Sequence, residues 1–434
     1  MTCWTGHGFA AQTSGILTLE EAVSLALNYN RSIEQAQLAA DEYDHEIAAA
    51  KTKRLVQFKL NATTGIMLTR PTLTFEKGAF GEYSGIGPIP GTTTNISSPR
   101  KPTAIIQSEA ALPLSQQYRI GLGIKQLQLS KSIAGQQVRL SRQETVKQVR
   151  QTYYSILQSQ SSLDAVEHNL ALLRELRDQT AHYVTAGTVL TGDLLNVKAR
   201  LLQAEYDKVA FAGPLATQKE QLNSLLGRPI ETDFRVEPAV EGAAVPELVA
   251  ARQKAIGARP EIEQARLKIQ AAELDWKKKK SEFIPDVSLA VNYYSAFNMS
   301  SSLPKNMAIA GVQTSFEPFD WGRRRKELSQ KVNAAEQARL TLKDVEDKVR
   351  IEVGSAHRKM QEARVLLSAS RAAQESTRES VRLANARFRH DAALIKTVLE
   401  AQADLAQAND RTQKALVAYW SARAELEMAM GEEK

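Results

Sequence analysis

Gly187-Thr188-Val189-Leu190-Thr191-Gly192 sets two glycines at the spacing of a phosphate-binding loop. Such a loop needs Lys-Ser/Thr after its last glycine, to reach the phosphates and the magnesium ion; here Asp193-Leu194 follows, so a phosphate would meet a carboxylate. The stretch reads as a turn between helices. Gly85-Ile86-Gly87-Pro88-Ile89-Pro90-Gly91 fails as a dinucleotide fingerprint, because its third glycine is misplaced and two prolines block the helix that should receive the pyrophosphate. The six histidines include no i, i+4 pair and Cys3 is the single cysteine, so neither a histidine-based zinc site nor an intrachain disulfide has support. No nucleophile elbow or paired-carboxylate site stands out from the ordinary charges of exposed helix faces. These observations predict a protein that is not an enzyme, with no catalytic residue, cofactor or metal.

The composition points elsewhere. In 434 residues aromatics are only 6%, while Ala, Gln, Leu, Lys, Arg and Glu fill long stretches, the mix of long helices and coiled coils. The 56 basic residues are nearly matched by 49 acidic ones, and a net +7 does not indicate a nucleic-acid partner. No apolar run approaches the ~18 residues of a transmembrane helix, so any bilayer crossing must be made by strands. Residues 1–16 carry no basic n-region and no apolar core; they read as a disordered leader or as a signal remnant ending near Gly8-Phe9-Ala10, with Cys3 a free thiol rather than a lipidation site.

The chain repeats itself. Ser32-Ile33-Glu34-Gln35-Ala36 returns as Glu261-Ile262-Glu263-Gln264-Ala265 at a shift of 229, and Val149-x-x-x-Tyr153 returns as Val353-x-x-x-His357 at a shift of 204. The second shift also pairs Leu195 with Leu399 and Gly227 with Gly431. The 25-residue difference falls in the Gly-, Pro- and Thr-rich stretch 69–102, which reads as a long loop. Each copy, 17–227 and 248–431, runs helix, strand, loop, strand, long helix, turn, long helix; 228–247 is a linker and 432–434 a tail. The period-2 segments place strands at about 58–69, 103–112, 287–296 and 307–316, with hairpin tips at about 187–193 and 391–396. From Val332 to Leu367 apolar residues recur in steps of three and four, the left-handed coiled-coil period, and a helix over 328–391 would be roughly 95 Å long at 1.5 Å per residue.

Strands of this length suit a tilted bilayer crossing, but four cannot close a barrel that needs ~8 or more, so several chains must contribute. Lys277, Lys278, Lys279 and Lys280 precede the third strand, and Arg323, Arg324 and Arg325 follow the fourth beside Phe319 and Trp321. Cations with aromatics at strand ends fit a lipid headgroup boundary. The competing reading is a soluble coiled-coil scaffold that binds anionic polymer or a membrane surface through the same cations.

Leu19-Glu20-Glu21-Ala22-x-x-x-Ala26-Leu27-x-x-Asn30, Arg259-Pro260-Glu261-Ile262, Pro318-Phe319-Asp320-Trp321-Gly322 and Val398-Leu399-Glu400-Ala401-Gln402 together resemble the TolC-like outer-membrane efflux family over nearly the whole chain. The resemblance implies a mainly α fold with a small β part: a homotrimer whose coiled-coil hairpins form a periplasmic α-barrel and whose four strands per chain build a twelve-stranded transmembrane β-barrel. It implies an exit duct in the outer membrane of a Gram-negative bacterium, serving a periplasmic adaptor and an inner-membrane transporter. It places adaptor docking at the tips Gly187, Thr188, Val189, Leu190 and Asp391, Ala392, Ala393, Leu394. It places a periplasmic gate at Glu400, with Asp193 the weaker candidate, since an acid in a helix's first turn is often only a dipole partner.

Overall fold

A computed structural model describes residues 15–66, 68–69, 72–97, 101–187, 189–237, 246–298, 305–389 and 394–432. In chain order the elements are β1 (Ile16–Leu17), α1 (Leu19–Tyr29), α2 (Arg31–Thr52), β2 (Gln57–Ile66), β3 (Thr72–Phe75), β4 (Glu82–Tyr83), β5 (Gly87–Pro88), β6 (Thr94–Ser97), β7 (Pro102–Pro113), α3 (Gln116–Thr185), α4 (Thr191–Leu225), β8 (Arg235–Val236), α5 (Leu248–Ala258), α6 (Pro260–Lys280), β9 (Asp286–Phe297), β10 (Asn306–Ser315), α7 (Arg323–Arg389) and α8 (Ile395–Ala429). They form two compact units: Met1–Asp41, Ser132–Leu267 and Arg339–Lys434 make one, Glu42–Lys131 and Lys268–Ala338 the other. Among the described residues no helix is long and apolar enough to cross a membrane.

In the first unit the repeat is visible as duplicated contacts. Asn30, which caps α2 by accepting from the Ser32 and Ile33 backbones, donates through Nδ2 to Leu225 O at 2.9 Å; at the equivalent place Arg259 Nη1 donates to Ala429 O at 3.4 Å. Pro260 then opens α6, where a missing N–H costs nothing. The Tyr153 hydroxyl lies 2.9 Å from Leu17 O, and its counterpart His357 places Nε2 at 3.1 Å from Pro246 O. These partners obey the two sequence shifts, so each long helical hairpin is tied at the same height to its own leading segment. Burial pushes the Tyr153 phenol up to about 12. The core between the rods contains Tyr153, Ile156, Leu222, Leu226, Ile262, Val353 and Met360, with Tyr154 stacked on Trp420 at 5.2 Å.

Both copies end on the same helix stop. Gly227 (φ +68°) and Gly431 (φ +85°) follow α4 and α8, and the next residues, Arg228 and Glu432, donate back to Asn223 O and Glu427 O, the Schellman pattern. Here glycine is required twice over, since a Cβ on Gly227 would stand 2.5 Å from Tyr29 O and one on Gly431 2.9 Å from Ala258 Cβ. Gly227→Ala therefore combines left-handed strain with a backbone clash, an expected loss of about 3 kcal/mol. Gly135→Ala, in open space within α3, is expected to gain up to about 1 kcal/mol. Thermal denaturation of both variants in detergent checks the pair; equal midpoints would contradict the close approach.

The second unit holds an antiparallel sheet in the order β10-β9-β7-β2. The stretch 69–102, expected as a long loop, holds two short ladders among its described residues. β3 pairs with β6 and β4 with β5, while Phe80 N and Ile89 N close the ribbon onto Ile89 O and Gly81 O at 2.9 Å each. Four-residue and two-residue ladders are too short to leave a periodic signal among so many glycines and prolines, which is why only turn chemistry was legible.

Candidate functional site

The register fixes which side chains share a sheet face. Phe58 stands opposite Ala110 and Ala110 opposite Val291; Leu60, Ser108 and Tyr293 form the next row, and Leu112, Leu289 and Val312 another. Phe58, Leu60, Leu289, Val291 and Val312 are all exposed large hydrophobics on this one face. The alternate rows place Lys59, Glu109 and Asn292 together, then Asn61, Gln107 and Tyr294, so the other face is mainly polar, though Ile105, Met307 and Ile309 interrupt it. An exposed apolar face backed by a mainly polar one is the pattern of transmembrane barrel strands. β2 and β10 are the sheet's two edges, each with one side of its ladder unpaired.

By the same register Gln57, Pro113, Asp286 and Ser315 lie along one end of the sheet. Leu55, Leu114, Phe283, Phe316, Phe319 and Trp321, all exposed, cluster in sequence at the four strand ends there. Trp321 is 90% exposed and is held in the left-handed region at φ +55°, its ring meeting Phe319 edge-on at 4.7 Å. Asp320 holds the turn: its carboxylate accepts from Gly322 N at 3.0 Å and Arg324 N at 3.1 Å, and the latter bond is the main reason its pKa is lowered.

Of the seven cations that the sequence groups here, three are engaged by carboxylates. Lys279 bridges Glu282 and Glu327 at 2.7 Å each, and the hydrogen bond to Glu282 leads in raising its pKa. Arg323 pairs with Glu317 and Glu327, and Arg324 with Glu317 and Asp320. Lys277, Lys280 and Arg325 stay exposed and Lys278 is half-buried, with Lys280 Nζ 5.4 Å from the Trp276 ring centre. The cluster is thus less cationic than its composition implies.

The tips repeat each other closely. Leu190 and Leu394 are the N-cap residues of α4 and α8, with φ/ψ of −77°/147° and −77°/153° and no side-chain cap bond. They are 77% and 75% exposed. Gly187 turns the first tip at φ +75° and Val189 is half-buried; Thr188, Asp391, Ala392 and Ala393 lie outside the described residues. Beyond the second tip Val398 and Leu399 are buried, Leu399 packing with Leu170, Leu173 and Val197, and Arg200 Nη1 donates to Leu399 O at 3.3 Å. Glu400 is left exposed, 3.7 Å from Lys396 Nζ. Asp193 sits in the first turn of α4, and among the described residues it makes no contact with Glu400.

Two of the helical rods carry exposed apolar side chains. α7 touches α8 (Ser370 O with Thr412), α8 touches both α3 (Glu427 with Arg150) and α4 (Leu399 O with Arg200), and α3 touches α4 (Ser159 with Gln218). On α4, Leu195, Leu202, Tyr206 and Val209 are exposed while Val197, Leu201 and Ala204 are buried; on α7, Ile351 and Val365 are exposed while Val349, Val353 and Ala363 are buried. Residues two apart lie about 200° round a helix, so the exposed stripes face away from the packed sides. The sequence reading missed the α4 stripe, although the seven-residue spacing of Leu195, Leu202 and Val209 was there to find it.

A sheet with one apolar and one polar face, in a chain that also holds paired long helices with exposed apolar stripes, has the pattern of a channel subunit that crosses a membrane as β-strands. The chain belongs to the outer membrane efflux protein family, whose model matches residues 22–228 and 251–432. The fold resembles the outer-membrane channel OprN (TM-score 0.74, 18% identity, covering 95% of this chain and 89% of that one) and CusC (0.75, 18%, 95% and 92%). It also resembles the outer membrane protein VceC of Vibrio cholerae (0.72, 14%, 95% and 96%). No curated protein sequence matches significantly. The protein is a TolC-like outer-membrane efflux duct, with its strands in the outer membrane and its helical part in the periplasm, and the soluble-scaffold alternative falls.

Proposed function

We propose that three copies close edge to edge into one duct, each lending four strands to a twelve-stranded barrel and four rods to an α-barrel. What supports this is the pair of edge strands, β10 and β2, together with the exposed apolar stripes of α4 and α7. Unlike edges joined head to tail make a ring when the rotation closes. Four strands per copy demand at least two copies, and the family resemblance favours three.

Within that ring, the leucine-bearing tips dock the periplasmic adaptor of an inner-membrane transporter, and Glu400, with Asp193 beside it in role, lines the periplasmic mouth. Phe319, Trp321 and the cations Lys277, Lys278, Lys280 and Arg325, which meet no carboxylate among the described residues, face the headgroup layer. Chemical cross-linking in intact cells is expected to trap a three-chain species, and the protein should leave the membrane fraction only with detergent and not with high salt. A chain that cross-links only to a dimer, or not at all, would rule out the ring.

A further inference from the structure

Lys396 stands where a lysine is locally disfavoured. It lies in the first turn of α8, and the partial positive charge of a helix N-terminus repels a cation. Nor does it contribute a strong contact: it is 78% exposed on the side chain, Glu400 is 58% exposed, and an ion pair so open to water adds little stability. The repeat does not call for it either, since the equivalent residues of the first copy, Gly192 and Asn196, are uncharged. Yet the pair is well positioned. Residues i and i+4 share a helix face, and that face is fixed because the next residues, Val398 and Leu399, are buried and Arg200 holds the Leu399 carbonyl.

We propose that Lys396 is a selectivity-determining residue of the duct: it cancels the charge of Glu400 at the periplasmic mouth, so that the acid there does not make a cation filter. The inference rests on Glu400 lining the mouth of a trimer. A carboxylate and an ammonium 3.7 Å apart are nearly neutral to an ion one Debye length away, about 8 Å in physiological salt. Removing either partner leaves three like charges round the axis. Placed roughly 8 Å from it, they enrich a monovalent counter-ion about 2.5-fold and a divalent one about sevenfold.

The test is single-channel recording in planar bilayers under a salt gradient, with hexaamminecobalt as a multivalent blocker, on the full chain and on Lys396→Gln, Glu400→Gln and the double variant. Lys396→Gln is expected to raise the cation-to-anion permeability ratio several-fold and to strengthen cobalt block. Glu400→Gln should lower both, and the double variant should return to the starting ratio. If Glu400→Gln shifts selectivity and Lys396→Gln does not, the lysine plays no part and the acidic mouth stands. If neither single change shifts it, the assignment of Glu400 to the mouth fails as well.

Discussion

Leu202→Glu combined with Val209→Glu is expected to leave the chain unable to assemble, with the three-chain species lost and only single chains recovered in detergent. In the isolated chain both side chains are exposed on α4, where a glutamate costs nothing beyond a small change in propensity. Packed against the next copy's α7, each leucine or valine would contribute roughly 1.5–3 kcal/mol on burial. Each glutamate would instead lose its hydration without a partner, at several kcal/mol. The change occurs at all three seams of a ring, so the penalty is counted three times. Ala406→Glu is the control: it occupies the α8 position equivalent to Leu202, is exposed, and lies in a run with Asp410 and Gln413 that is already polar. It is expected to assemble normally. Light scattering in detergent gives the mass directly, and a three-chain assembly of the double variant would remove α4 from the seam.

How much of this was legible in the sequence depends on the range of the interaction that carried each feature. The four membrane strands were readable because Phe58, Leu60, Val291 and Tyr293 alternate with polar neighbours, and a period of two survives without any tertiary information. The repeat was readable because the contacts it duplicates need particular residues: a glycine at 227 and 431, and a hydrogen-bonding side chain at 153 and 357. The pairing of Lys279, Arg323 and Arg324 with carboxylates was not readable. Lys279 meets Glu327 across 48 positions of chain, and nothing local to the lysine block signals it. Asp193 lies in the first turn of α4, and Glu400 follows the buried Val398 and Leu399 of α8.

The tips allow a substitution whose structural and functional effects have opposite signs. Leu190 and Leu394 occupy N-cap positions, where leucine is among the poorest residues because it offers no oxygen to the free N–H groups of the first turn. Aspartate is among the best, and it also suits the positive end of the helix. Leu190→Asp with Leu394→Asp is therefore expected to stabilise each hairpin by about 1 kcal/mol and to raise the thermal midpoint of the detergent-solubilised protein. If the tips dock the adaptor, the same change removes six exposed leucines per trimer, each contributing roughly 1–2 kcal/mol when covered, and brings charge into the contact. Adaptor co-purification and export should then fall about tenfold or more, with trimer and membrane insertion intact. Leu190→Met with Leu394→Met keeps the apolar surface and should preserve export. A simple turn would behave differently: if the aspartate pair stabilises the protein and export continues unchanged, the two leucines are imperfect caps and the adaptor binds elsewhere.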